Sequence, residues 1–266
     1  MTDLTDTMYL HAVGKQVCAR YRNVDIAFIS GSLVEGFGNE TSDLDVFVLS
    51  DTVIEPVGDA ALSADLGAFA VDIDFAGDIR TDTEIWTVDM VADIAARIGA
   101  CDPLEWQATM RLDKAGLELA HRIRVGEPLV AADRFAQLRE LFGWGHVGAV
   151  LAQRFLQDYN ESAEDAVGAV KAADAGAGLL NSRLALGAAA DALCAVRGAT
   201  NGKAKWRLHR LTATAPEIVD TYLQAELDRS AEQADLLRTA RQRLRVASDL
   251  AGTATSALLD GGWGRT

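Results

Sequence analysis

Asp43 and Asp45 sit at the head of an otherwise apolar run, Asp43-Leu44-Asp45-Val46-Phe47-Val48-Leu49. A short run rich in β-branched and aromatic residues reads as a buried strand. In a strand, residues i and i+2 point to one face, about 7 Å apart along the chain. Asp43 and Asp45 therefore converge on one side while Leu44 and Val46 face the other. Two desolvated carboxylates repel each other and need a proton or a cation between them. A divalent metal is the natural answer. The alternative, a solvent-facing strand edge with alternating acids, leaves the apolar partners without burial.

Upstream, the apolar stretch Ile26 to Ser30 reads as another strand, ending at Gly31-Ser32, which opens a short helix and then a Gly/Asn/Ser loop. Gly31 and Ser32 have two readings. They form an ordinary turn in which Ser32 caps the helix, or a cradle whose backbone N–H groups and hydroxyl meet an anion, glycine allowing close approach. Their distance from the acids favours the second, with the anion a triphosphate. Asn39, Thr41 and Ser42 either shape the loop before the acid strand or touch phosphate. Further on, Asp72 and Asp74 in AFAVDIDFAG repeat the i, i+2 spacing.

Gly31-Ser32, ten intervening residues, then Asp43-Leu44-Asp45-Val46 between apolar positions resembles the signature of the nucleotidyltransferase superfamily that includes kanamycin-type antibiotic adenylyltransferases and minimal nucleotidyltransferases. That resemblance implies a polymerase-β-like fold and a third acid on a later strand. Asp72 is the first choice for the third acid, and Asp74 is the alternative as ligand or neighbour. It also implies transfer of a nucleoside monophosphate, AMP from ATP or another nucleoside triphosphate, to a small hydroxylated acceptor. One or two magnesium ions would be held by Asp43 and Asp45 with Asp72 or Asp74, because magnesium prefers carboxylate and phosphate oxygens. Two local stretches are similar to the second domain of such enzymes: HRIRVGEPL (His121 to Leu129) to a helix-to-loop hinge, and KAKWRLHRL (Lys203 to Leu211) to a Lys/Trp segment. The latter would place Lys205 near the β- and γ-phosphates. Its plainer reading is a solvated helix start with Trp206 and Leu208 turned inward.

The chain has 266 residues, 49% of them hydrophobic, which suits one large or two medium domains. Expected elements are a helix near 5–22, strands near 24–30, 44–49 and 68–75, a loop over 51–65, and a helix at 88–98. After Pro103 strand signals vanish. Helical periodicity runs through 103–124, 133–142, 146–172, 176–197 and 216–258. The expected architecture is a mixed α/β domain near 1–100, a mixed sheet with flanking helices, followed by an all-α bundle near 101–266. No apolar run reaches the roughly 18 residues of a membrane span, and MTDLTDTMYL lacks a signal-peptide core. A cytoplasmic protein without a membrane partner is expected. Cys18, Cys101 and Cys194 lack metal-type spacing and read as buried thiols. A net charge of -14 disfavours a nucleic-acid partner and favours a neutral or cationic acceptor.

Other residues stay open. Arg183 is a phosphate or base contact, or an exposed or salt-bridged arginine. Asp102, Glu105 and Glu84 are the acids near the chain's exit from the sheet that could take the acceptor's proton. His121 and His146 read as core or surface residues. Oligomeric state is not fixed, a homodimer being one option. Two other functions fit the same residues: nucleotidylation of a protein or RNA target, and an inactive nucleotide-binding sensor, against which the intact acids argue.

Overall fold

The computed structural model describes residues 7–52, 54–56, 62–65, 69–228 and 233–261. The chain forms two compact units, one of residues 1–97 and 115–142, the other of 98–114 and 143–266.

The first unit is built on a six-stranded sheet. In chain order its elements are α1 (Thr7–Cys18), β1 (Tyr21–Arg22), β2 (Ile26–Ser30), β3 (Leu44–Ser50), β4 (Glu55–Pro56), β5 (Leu62–Asp65), β6 (Ala70–Ala76), β7 (Ile79–Thr87) and α2 (Val88–Gly99). After α3 (Trp106–Met110), which belongs to the second unit, come α4 (Lys114–Val125), β8 (Glu127–Val130) and α5 (Ala132–Glu140). The large sheet runs β5-β6-β7-β3-β2-β8, and β1 pairs separately with β4. Only β3 and β7 are parallel, so the sheet is mixed. Strands β2 and β3 read as near-continuous apolar runs because both of their faces are covered.

On one face Ala27, Ile29, Leu44, Val46 and Val48 pack with Leu10, Val13 and Val17 of α1. On the other, Phe28 stacks on Phe47 at 4.7 Å between ring centroids, and Phe135 of α5 meets Phe28 at the same distance. Asp45 is two residues from Phe47 along β3 and so belongs to the phenylalanine face.

The helix expected near 5–22 ends at Cys18, with β1 following it, and two further unexpected strands, β7 and β8, belong to the large sheet. In β7, IRTDTEIWT, alternation holds over the first half, with Ile79, Thr81 and Thr83 buried, Arg80 exposed, and Asp82 and Glu84 half-buried between them. It is joined to β6 through Gly77-Asp78, with Ala76 opposite Ile79 and Gly77 at φ +65°, the positive φ that a two-residue hairpin turn needs. In β8, Glu127-Pro128 reads as a helix breaker. Pro128 instead lies opposite Phe28 on the edge of the sheet, where proline's missing N–H costs no ladder bond. Residues 115–142, grouped with the helical part by the boundary expected near 100, thus lie in the sheet's unit. The short helix expected after Gly31 is a run of turns over 32–36 closed by Glu35 N donating to Gly31 O at 2.9 Å. Within the expected loop 51–65, the described residues include β4 and β5; residues 53 and 57–61 lie outside them.

The second unit is helical: α6 (Trp144–Lys171), α7 (Ala175–Val196), α8 (Arg207–Thr214), α9 (Val219–Leu227) and α10 (Gln233–Leu259), with 3₁₀ turns before α8 and α9. Helix α7 begins on Asp174, whose carboxylate accepts from Ala177 N at 3.0 Å, a capping bond. Its alanines and Gly187 let neighbours approach closely. Asp191, buried on α7, accepts from Arg207 at 2.8 and 2.7 Å and from Arg210 at 2.8 Å. A Cβ on Gly187 would stand 2.8 Å from the Arg207 guanidinium carbon. By length and composition α7 could cross a bilayer, yet 67% of its apolar window is buried inside the protein, as in a core helix.

Candidate active site

The sheet register decides which acids can act together. Parallel pairing sets Asp45 beside Asp82 and Phe47 beside Glu84, so Asp82 and Glu84 share the face of Asp45. Asp43 lies close enough to Asp82 to bond it. Burial first, then the neighbouring Asp43 charge, push the Asp82 carboxyl above its usual range, against the pull of Arg80. Arg80 holds Asp82 with Nε at 2.9 Å and Nη2 at 2.8 Å.

Asp45 is held from another direction. Arg122 of α4 places Nη1 3.1 Å from its Oδ2, both side chains being largely sheltered. The Arg122 carbonyl accepts from Ser30 Oγ at 3.0 Å, and His121 Nε2 lies 3.2 Å from Glu35 in the turn after Ser32. Consecutive residues of α4 therefore clasp the end of β2, the turn and the acid strand.

Gly31 sits at the centre of this clasp with φ +89°. A Cβ there would collide with the Asp45 carboxylate and stand 2.7 Å from Arg122 Nη1. The glycine is therefore required by the close approach of Asp45 as well as by its backbone conformation. Ser32 accepts through its carbonyl from Phe37 N at 3.0 Å and Gly38 N at 2.8 Å, folding the turn back on itself. Ser42 shapes the next loop: its Oγ accepts from Asn39 N at 2.9 Å, while Asn39 Oδ1 accepts from Thr41 N at 3.0 Å.

Asp72 and Asp74, expected to complete the acid cluster, are placed on the opposite face. In the antiparallel register they stand beside Thr83 and Thr81, which alternate with Asp82. The physical reason is the register: Ile73 stands beside Asp82, so Asp72 and Asp74 on either side of it point to the other face. Asp72, 3% exposed, accepts from Tyr21 Oη at 2.9 Å. Asp74 pairs with Arg20, and the Phe75 backbone N–H, then Arg20, hold its carboxyl below the usual range. Both serve the α1 side of the sheet.

The other expected residues lie in the helical unit. Arg183 Nε donates to Glu226 at 2.6 Å, the salt-bridged alternative. Lys205 Nζ lies 4.9 Å from the Trp206 ring centroid, within cation–π range. Asp102 accepts from Leu104 N at 2.8 Å, and Glu105 precedes α3. Glu84, by contrast, lies on the acid face of the first unit, accepting from Trp86 Nε1 at 2.9 Å. His146 Nε2 lies 3.0 Å from Ile98 O.

Sequence reasoning thus missed Asp82, Arg80 and Arg122. The signal for the first two was the strict alternation Arg80, Asp82, Glu84 against Thr81, Thr83, Ile85; Arg122 had no signal beyond its place in HRIRVGEPL.

Among the described residues no three His, Cys, Asp or Glu side chains gather closely enough to hold a metal ion by themselves. Magnesium does not require three, since it commonly binds through one or two carboxylates and completes its shell with water and substrate phosphate. The adjacent, mutually repelling Asp43 and Asp82 fit that donor set.

One solved structure, a nucleotidyltransferase-like protein from Exiguobacterium sibiricum, is similar over 95% of this chain and 77% of its own, with a TM-score of 0.51 and 12% identity. The fold is nucleotidyltransferase-like. That matches the mixed sheet with flanking helices followed by a helical region. At this identity the likeness extends to the fold of this nucleotidyltransferase-like chain and no further. No protein-family model matches the chain, and no curated protein matches it in sequence.

Proposed function

We propose that the chain transfers a nucleoside monophosphate, AMP from ATP, to a hydroxyl of a small molecule with release of pyrophosphate. The observation that carries this reading is the placing of Asp43, Asp45 and Asp82 on one sheet face beside the Gly31 turn.

In this reading Asp43 and Asp82 would hold a divalent cation on the face of Asp45, with water and substrate phosphate completing its shell. Magnesium bound there would neutralise triphosphate charge and acidify the acceptor hydroxyl. The turn after Gly31 offers backbone N–H groups and the Ser32 hydroxyl to phosphate. Arg183 is left out, because Glu226 already holds its guanidinium. Of the three acids considered for accepting the hydroxyl proton, Glu84 is preferred, since it shares the acid face. The acceptor is neutral or cationic, because a net charge of -14 disfavours a polyanion such as nucleic acid.

The test is to incubate the full chain with labelled nucleotides, magnesium and hydroxylated metabolites and to look by mass spectrometry for a product heavier by one nucleotide. Asp43→Asn and Asp45→Asn should fold normally and lose transfer by roughly 10²-fold or more. Near-normal turnover in either variant would remove the assignment.

A further inference from the structure

Arg122 serves two parts of the candidate site at once. Its Nη1 lies 3.1 Å from Asp45 Oδ2 and 2.7 Å from the point where Gly31 would carry a Cβ. One guanidinium thus neutralises an acid of the cluster and lies over the turn assigned to phosphate. Its exposure is 12%, that of Asp45 19%, so solvent screens the pair less than it would a surface ion pair. The backbone is fixed as well, by Ser30 on the Arg122 carbonyl and by His121 on Glu35.

A divalent cation that takes Asp45 as a ligand competes with Arg122 for the same oxygen. A triphosphate at the Gly31 turn offers the guanidinium another acceptor a short distance away, and phosphate suits its planar fork bidentately. We propose that Arg122 is a releasable counter-ion: Asp45 gives it up to incoming triphosphate, so that divalent cation and nucleotide load together. Metal arriving alone meets an Asp45 that is already neutralised. Triphosphate draws Arg122 away and frees the carboxylate. Because the coupling is a free energy between two ligands, metal must strengthen triphosphate binding by the same factor. This inference rests on the nucleotidyl-transfer reading, since it takes the Gly31 turn as the phosphate site.

The test uses Mn²⁺ as the cation and inorganic triphosphate as the anion, with protein-bound Mn²⁺ measured by electron paramagnetic resonance on the full chain. Arg122→Gln should bind Mn²⁺ alone about tenfold or more tightly than the native protein, the size of a sheltered charge pair. It should also lose most of the enhancement that triphosphate gives the native protein. Arg122→Lys keeps a cation of shorter reach, should fall between the two, and covers the case in which the glutamine variant fails to fold. Unchanged or weaker Mn²⁺ binding in both variants would overturn the proposal. Asp43→Asn and Asp45→Asn separate this failure from the larger one. If they weaken Mn²⁺ binding while the Arg122 variants leave it unchanged, the counter-ion role falls and the metal site stands. If they too bind Mn²⁺ as the native protein does, the assignment of the acids falls and this proposal falls with it.

Discussion

At the scale of single residues, Asp82 and Asp72 are chemically identical neighbours with opposite assignments, since the sheet separates them. Asp82→Asn should keep the fold and reduce nucleotidyl transfer by roughly 10²-fold or more. Because burial and Asp43 raise its folded pKa, the stability this group contributes is present at low pH and lost as pH rises through that value. The Asn variant should therefore unfold no more readily than the native protein at pH 7. Asp72→Asn should do the reverse, sparing transfer while lowering the denaturant midpoint, because the Tyr21 bond is changed. Equal effects on transfer would show that the face assignment is wrong. Asp25 makes a separate pH test. The Asp51 backbone N–H, then Ser50 and Arg134, hold its carboxyl below 3.8. A depressed folded pKa contributes stability above the unfolded value and loses it as pH falls through the folded one. Asp25→Asn should thus be less stable than the native protein near pH 7, with the gap closing as pH drops below about 3.8. A gap that persists unchanged at pH 2 would contradict an origin in the ionised, hydrogen-bonded carboxylate.

At the scale of elements, two glycines of α6 predict opposite responses to alanine. At Gly148 a Cβ would stand 2.6 Å from the Ala195 carbonyl of α7, while at Gly168 it would meet nothing within 4 Å. Gly168→Ala should stabilise by about 0.5–1 kcal/mol through helix propensity. Gly148→Ala should destabilise by about 1–3 kcal/mol, because backbone rather than a flexible side chain must move. Urea midpoints of the two variants check both signs. The legibility of the elements followed similar physics. Strands β2 and β3, buried on both faces, announce themselves as apolar runs, and Asp43 and Asp45 stand out against them. Helices α2 and α6 show a clear period, and α7 stands out as a long alanine- and leucine-rich run. Strand β7 escaped because Arg80, Asp82 and Glu84 interrupt its apolar character, and β8 escaped because four residues around a proline resemble a helix stop. Asp82 was lost with β7. Asp72 was favoured in its place because sequence spacing reveals which residues share a strand face but not which strand lies between two others.

At the scale of the whole molecule, the chain passes from one unit to the other after residues 97, 114 and 142. A fragment ending near Gly99 lacks β8, leaving the β2 edge without its partner, and it also lacks Arg122. Such an edge is a template for association. Fragment 1–99 should therefore run as aggregate in size-exclusion chromatography, and a fragment extended to Phe142 should contain substantially more monomer. A monodisperse shorter fragment would show that β8 is dispensable. The same arrangement bears on the order in which the molecule is made. The edge of β2 emerges from the ribosome roughly a hundred residues before the strand that covers it. At about 5–20 residues per second, the edge of β2 waits some 5–20 seconds uncovered, and its covering is timed by translation of the strands and helices in between.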